Sequence, residues 1–188
     1  MSQAVAKESK KPFLTDIKTI RERARQHIQD GAVTESYGGN TETACKLLNE
    51  ALATELVCVL RYKRHYYMAK GIHSGTAKAE FLEHAGEEQE HADRIAERIV
   101  QLGGIAEGTV RVAAARSLLE EYPLDMADGL AHVEAVAKAL STFGHEARNM
   151  ISEADELEDA DTADLFTEIS RGIDKWLWFV EAHSQAPK

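Results

Sequence analysis

Four long segments of this 188-residue chain repeat their apolar residues at the spacing of one helix face. This repetition limits the possible folds more than any other feature. The chain holds only three prolines, and glycines follow the first two segments, as they commonly do at helix ends. Strand-like alternation is missing from the sequence. The pattern therefore predicts an all-α protein with long helices over residues 41–70, 77–102, 125–156 and 162–183.

The connections between these segments suggest how the helices are arranged. Residues 103–124 interrupt the periodicity and form a long link that has room for a short helix. A crossover of that length can return the chain to begin a helix parallel to the preceding one, as in a ferritin-like four-helix bundle. An up-and-down bundle with a flexible loop is the alternative, and periodicity alone does not separate them. A short helix is also expected over residues 15–30.

The domain limits and the charge restrict the function classes. We expect a flexible tail over residues 1–11 and one ferritin-like domain over residues 12–185. The formal net charge of −10 disfavours nucleic acid or an anionic membrane as a partner of the whole surface, and it favours cations. Neither a membrane-spanning run nor a secretory signal is recognisable, so the cytoplasm is the expected compartment.

The predicted tail differs in charge from the rest of the chain. Residues 1–25 carry seven basic side chains against three acidic ones. Lys7, Lys10 and Lys11 are therefore candidate contacts to DNA phosphates, and such binding would weaken steeply with salt. A tail that is simply solvated is the alternative.

Three chemically active side chains fall on the core stripes of the first two long helices. Glu55 lies on the first stripe, while Glu88 and His91 lie one turn apart on the second. Burying them without partners would be costly. Carboxylates bind hard cations and imidazole suits iron, so the set predicts a metal site. In the alternative, these side chains hydrogen-bond to each other or to Tyr62 and Tyr66.

The second half of the bundle offers no matching ligands. A full di-iron site in such a bundle needs another Glu on the third helix and another Glu-x-x-His on the fourth. The third and fourth core stripes are apolar throughout. Asp93 and Glu97 lie one turn apart on a face of the second helix that is rotated away from the core, and His65 is similarly offset on the first. These three could meet a second subunit, or form a solvated charged face.

The sequence resembles two branches of the ferritin superfamily. Residues 12 to about 102, with "LLNEALATELVCVLRYKRHYYMAKGIH" and "EFLEHAGEEQEHADRIAERIVQLGG", are similar to bacterioferritin-like proteins. Residues from about 95 to 185, with "EYPLDMADGLAHVEA" and "DADTADLFTEISRGIDKWLWFVEAH", are similar to Dps mini-ferritins, which protect DNA in starved cells. The two resemblances imply either a natural intermediate or a recombined or engineered chimera.

The bacterioferritin-like resemblance implies that Glu55, Glu88 and His91 are di-iron ligands. Ile173 and Trp176 stand where that family has its last Glu-x-x-His. The residue after Glu88 is glutamine where haem-binding members have methionine, so no haem is expected.

The Dps resemblance implies a different site, which that family builds between two subunits. His65, Asp93 and Glu97 match its first histidine and its final Asp-x-x-x-Glu. Lys78 and Leu82 stand near the places of the second histidine and the middle aspartate, so this ligand set is also incomplete.

Both resemblances imply a ferroxidase that binds iron, as a di-iron or a mononuclear centre. The cage, expected to be a dodecamer of identical chains, would oxidise Fe(II) with peroxide or oxygen, store Fe(III) and protect against oxidative stress. Two alternatives stay open: a DNA-coating Dps-like assembly and a structural helical assembly, each with impaired ferroxidase activity.

Overall fold

The computed structural model describes residues 32–33, 37–71 and 74–185. The predicted tail with Lys7, Lys10 and Lys11 and the predicted helix over residues 15–30 lie outside this part of the chain. Five helices and no β-strand are found in the described residues, so the all-α prediction is confirmed. The helices are α1 Thr41–Met68, α2 Ser74–Gln101, α3 Val110–Arg116, α4 Gly129–Glu156 and α5 Ala160–Ala182.

The helix ends follow from local capping. Asn40 caps α1 by accepting a hydrogen bond from the backbone of Thr43 at 3.1 Å. Asp128 caps α4 through the backbone N–H groups of residues 130 and 131, which explains why α4 begins at residue 129 and not at the predicted 125. Gly71 and Gly103 adopt φ angles of 104° and 78°, the left-handed region that glycine tolerates.

Backbone hydrogen bonds between the end of α1 and the start of α4 define the topology. Lys70 donates to the carbonyl of Ala127 at 3.0 Å and accepts from Gly129 at 2.8 Å. Because α4 starts where α1 ends, residues 102–128 must return along the bundle, and α4 runs parallel to α2. This is the ferritin-like arrangement, and the up-and-down alternative is wrong. The crossover contains the short helix α3, for which its length was predicted to leave room.

The core lies between two helix pairs, α1 with α2 and α4 with α5. The residues predicted to face the core are buried on the second long helix (Phe81, His84, Glu88, His91, Ile95 and Leu102), the third (Val133, Val136, Leu140, Phe143, Ala147 and Met150) and the fourth (Phe166, Ile169, Ile173, Trp176 and Val180). On α1 the predicted residues Leu48, Leu52, Glu55, Val59 and Tyr62 are buried and Tyr66 is half-buried. The largest enclosed side chains include Tyr62, Phe81, Phe143 and Phe166. No helix of the described residues is both long and apolar enough to span a membrane.

Candidate metal centre

α1 and α2 bring Glu55, Glu88 and His91 together inside the bundle. Their exposed fractions are 0%, 1% and 8%. His91 Nδ1 lies 3.2 Å from Glu55 Oε1 and 3.7 Å from Glu88 Oε2. One donor atom from each of the three lies within 4.8 Å of the others, a spacing that suits ligation of one cation. The pattern of core stripes thus predicted which side chains meet.

Four of the six side-chain polar atoms of this group make no hydrogen bond among the described residues, although the His91–Glu55 ion pair joins two of them at 3.2 Å. These four atoms are both Glu55 oxygens, Glu88 Oε2 and His91 Nδ1, and all of them are buried. The hydroxyl of Tyr62 is unpartnered as well, and the Tyr66 ring packs edge-on against Tyr67 at 4.9 Å. Tyr62 therefore does not satisfy the carboxylates, whereas the 3.2 Å ion pair of His91 with Glu55 fits the alternative in which these side chains pair with each other. Buried polar groups are normally satisfied, so this cluster points to a ligand.

Burial sets the electrostatics of the cluster. It raises the pKa of Glu55 well above its usual range, and the adjacent Glu88 carboxylate raises it further. Burial also raises the pKa values of Cys58 and Tyr62, and the two nearby glutamates add to both shifts. Because a carboxylate must be deprotonated to bind a cation, this raised pKa makes protonation of Glu55 compete with metal binding.

The opposite wall of the centre, formed by α4 and α5, is apolar. Leu140, Ile173 and Trp176 are 0%, 0% and 3% exposed, which confirms the apolar third and fourth stripes. Gly172 leaves room for the His91 ring, because a Cβ atom at this position would lie 3.2 Å from His91 Cε1. α5 thus offers space to the imidazole and no ligand of its own at Ile173 or Trp176.

His84 lies on the core stripe predicted for α2 and is buried as expected, but it was not selected as a candidate site residue. It is 0% exposed, and neither ring nitrogen has a hydrogen-bond partner among the described residues. Its ring centroid lies 3.7 Å from that of Trp176 and 5.7 Å from that of Tyr62. Burial lowers the pKa of His84 to about 3, with a smaller contribution from Lys175. Its position four residues before Glu88 places the two side chains next to each other on one helix face, and this spacing was the sequence signal that could have identified it.

The prediction that His65 lies on a face directed away from the core is wrong. His65 is 2% exposed, and its Nδ1 lies 2.7 Å from Nδ1 of His132. Tyr122 of the crossover stacks on its ring at 4.7 Å and covers it. Burial, with a smaller contribution from the neighbouring His132, lowers the pKa of His65 to about 3. The crossover encloses this side of α1, which helix periodicity does not reveal.

Asp93 and Glu97 lie on the exposed face of α2, as predicted. Each carboxylate accepts a hydrogen bond from a glutamine on its own helix, Asp93 from Gln89 at 2.9 Å and Glu97 from Gln101 at 3.1 Å. The structure therefore separates the two ligand sets: Glu55, Glu88 and His91 converge, whereas His65 does not join Asp93 and Glu97 on one exposed face.

Comparison with known proteins agrees with this fold. The ferritin-like domain family matches residues 45–187. The DNA protection during starvation protein of Agrobacterium fabrum is 37% identical over 144 residues, which cover 76% of this chain and 88% of that protein. The protein of the same name from Brevibacillus brevis is 28% identical over 143 residues, which cover 72% of this chain and 91% of that protein.

Solved structures show the same helical arrangement. Dps from Staphylococcus aureus superimposes with a TM-score of 0.75 at 22% identity, covering 79% of this chain and 99% of its own. A Dps protein from Bacillus brevis gives a TM-score of 0.73 at 24% identity, with 77% and 97% covered. With the domain match and the Agrobacterium relative, these findings show that the chain belongs to the ferritin-like family and, within it, to the Dps proteins.

Proposed function

We propose that this protein binds Fe(II), oxidises it with peroxide or oxygen and stores the Fe(III), and so protects the cell against oxidative stress. The observation that carries the proposal is the convergence of Glu55, Glu88 and His91, four of whose buried polar atoms make no hydrogen bond among the described residues. Membership of the ferritin-like family supports iron as the cation. The ferroxidase chemistry would convert two Fe(II), one H2O2 and two protons into two Fe(III) and two waters.

The residues of the centre have separate roles in this proposal. Glu55 and Glu88 provide the oxygen ligands that iron accepts, and His91 provides nitrogen. Protonation of Glu55, whose pKa is raised by burial, competes with the cation and so makes uptake weaker at low pH. The apolar side chains of α4 and α5 keep water away, which strengthens the attraction between the cation and the carboxylates.

The assembly is also part of the proposal. We propose a closed homo-oligomer, a dodecamer, whose acidic chains concentrate cations. Asp93 and Glu97 lie on an exposed face, so an additional intersubunit site at these residues stays a prediction, without His65. Cytoplasmic location and the absence of haem are likewise predictions. A single family match spans residues 45–187, so a bacterioferritin-like first half and a chimeric origin also stay predictions.

Anaerobic Fe(II) titration followed by exposure to peroxide or air tests the ferroxidase proposal. Glu88→Gln keeps the size of the side chain and removes its charge, and Glu90→Gln makes the same change at an exposed position of the same helix. We expect saturable binding and rapid oxidation in the wild type and in Glu90→Gln, and loss of both in Glu88→Gln. Equal behaviour of all three proteins would overturn the proposed centre.

DNA binding is the second candidate function, favoured by the names of the relatives. In this proposal Lys7, Lys10 and Lys11 contact phosphates, although they lie outside the described residues. A gel shift at low and moderate salt, with the full chain and with a chain lacking residues 1–11, tests it. Binding that survives truncation unchanged would rule out the tail as the contact.

A further inference from the structure

Peroxide reduction at the proposed centre needs an electron that its ligands do not supply. Donor atoms of Glu55, Glu88 and His91 lie within 4.8 Å of one another, which suits one cation per chain. One Fe(II) gives one electron, whereas reduction of H2O2 to two waters takes two. A peroxide molecule that receives only one electron breaks into hydroxide and a hydroxyl radical. A side chain near the centre that gives the second electron would prevent this.

Trp176 of α5 has the surroundings that electron donation requires. The residue is 3% exposed, and its indole N–H donates a hydrogen bond to Glu87 Oε2. An indole that has lost an electron becomes much more acidic at this nitrogen. The Glu87 carboxylate is therefore in position to accept the proton, as a general base does. Its side chain is 31% exposed, so the charge change on Glu87 takes place beside solvent.

A neighbouring cation couples the loss of the electron to the loss of the proton. Lys175 Nζ lies 4.0 Å from the centroid of the Trp176 ring and 2.9 Å from Glu87 Oε1. Removing the electron alone would place a second positive charge beside this ammonium group, which is unfavourable at such a distance. Transfer of the proton to Glu87 leaves the oxidised indole neutral. Electron and proton should therefore leave Trp176 together.

Other oxidisable aromatic side chains of the region lack this arrangement. The hydroxyl of Tyr62 is buried and makes no hydrogen bond among the described residues. Burial, followed by the charges of Cys58 and Glu88, raises the pKa of Tyr62 well above its usual range, so this residue retains its proton. Trp178 is 68% exposed and so faces away from the bundle interior. Trp176 is thus the buried aromatic residue with a proton acceptor at hand.

Packed rings connect Trp176 with the metal centre. Its ring centroid lies 3.7 Å from that of His84, and the His84 centroid lies 5.7 Å from that of Tyr62. The charges of Glu55 and Glu88 both act on the Tyr62 hydroxyl, which places this end of the series beside the centre. An electron tunnels through packed atoms and needs no bond between donor and ion. The ring contacts therefore provide a path for it.

We propose that Trp176 is a redox-active residue that supplies the second electron to peroxide while Glu87 accepts its indole proton. In the first step Fe(II) and Trp176 each lose one electron, and H2O2 takes both electrons and two solvent protons to form two waters. The next Fe(II) at the centre returns an electron to the Trp176 radical, and Glu87 returns the proton. The sum is two Fe(II) oxidised per H2O2, as in the proposed function on which this inference rests.

Freeze-quench EPR spectroscopy detects the radical directly. Trp178→Phe leaves Trp176 as the only tryptophan of the chain, and ring-deuterated tryptophan identifies its signal by the changed hyperfine splitting. The protein is loaded anaerobically with one Fe(II) per chain and mixed with one H2O2 per chain. We expect a tryptophan radical that forms together with Fe(III) and disappears when more Fe(II) is added. Iron oxidation without this radical would overturn the inference alone, whereas the absence of iron oxidation would overturn the proposed function as well.

Trp176→Phe and Trp178→Phe form a matched pair, because each replaces one indole by a benzene ring that is much harder to oxidise. Zn(II) binding reports whether the centre of each variant is intact. Under the same single-turnover conditions, a spin trap should detect hydroxyl radical from Trp176→Phe and none from Trp178→Phe. Equal trapping in the two variants would refute the role of Trp176.

Glu87→Gln tests the proton transfer without changing an aromatic side chain. The amide keeps an oxygen that can accept the indole hydrogen bond but is a far weaker base, and Glu90→Gln is the control at an exposed position of the same helix. Radical formation should slow by at least about 100-fold in Glu87→Gln, the lower end of what a positioned proton acceptor contributes. Equal rates in the two variants would show that Glu87 does not take the proton and would overturn the inference.

Discussion

Replacing both glutamates of the centre by leucine should stabilise the metal-free protein. The double variant Glu55→Leu/Glu88→Leu removes two buried carboxyl groups and keeps side chains of similar size. Three of their oxygens are enclosed and make no hydrogen bond, namely both of Glu55 and Oε2 of Glu88, and only the ion pair of Glu55 Oε1 with His91 Nδ1 at 3.2 Å offsets this. The surrounding wall already contains apolar groups such as Leu140 and Ile173, so leucine would find suitable neighbours.

The expected magnitude follows from these three oxygens. Each buried polar group without a partner costs about 1–3 kcal/mol, which gives roughly 3–9 kcal/mol if the costs add fully. Imperfect repacking reduces the gain, and apolar replacement of buried charged groups in other proteins gives about 0–4 kcal/mol. We therefore expect about 1–4 kcal/mol, which raises the Tm by about 2–16 °C for a domain of this size.

Calorimetry and urea unfolding in EDTA measure this gain in stability. Both proteins are compared at the same concentration, because assembly changes the apparent stability. Adding Zn(II) should raise the Tm of the wild type and leave that of the double variant unchanged. A double variant that is less stable than the wild type in EDTA would refute the argument that the carboxylates are unsatisfied. A Zn(II)-induced shift that persists in the double variant would refute their role as ligands.

Two further substitutions test the surroundings of the centre. Gly172→Ala should weaken Zn(II) binding in isothermal titration, because its Cβ would lie 3.2 Å from His91 Cε1 and displace the ring, whereas Gly86→Ala, with no atom within 4 Å, should bind normally. Asp159→Asn should cost about 3–5 kcal/mol in urea unfolding, since it breaks a buried 2.6 Å pair with Arg98. Burial raises the pKa of Asp159, but the hydrogen bonds that its carboxylate accepts outweigh this effect. The largest of these contributions comes from Thr162, and the net result is a lowered pKa. Its stabilisation is therefore present above the unfolded pKa near 3.8 and lost as the pH falls through the folded pKa, so acid unfolding should be less steep in Asp159→Asn.

Helix periodicity was sufficient to predict the bundle and most of its core. Residues such as Leu48, Phe81, Leu140 and Ile173 are buried where the stripes placed them, because only one face of each helix can turn inward. The topology was harder to predict from the sequence. It depends on the contact between Lys70 and residues 127–129, which joins parts of the chain far apart in sequence.

The candidate centre was predictable where its geometry is local, and not where it depends on the crossover. Glu88 and His91 lie one turn apart on a stripe, so their meeting inside the bundle follows from helix geometry. His65 was misplaced because Tyr122 and His132, both distant in sequence, cover its side of α1. The contact between Gly172 and the His91 ring depends on how α5 packs against α2. The pattern of either helix alone therefore could not predict it.

The uneven distribution of ligands has a consequence for the proposed chemistry. α1 and α2 provide every side chain of the centre, while Leu140, Ile173 and Trp176 of the facing helices close it off. Glu55, Glu88 and His91 converge on one position, so the described residues favour one Fe(II) per chain at this site. One Fe(II) gives one electron, but reduction of H2O2 to water needs two. In the proposed function a second ion must therefore react in turn at the same centre or at another chain. The oxidation rate should then depend on the number of Fe(II) ions bound across the assembly.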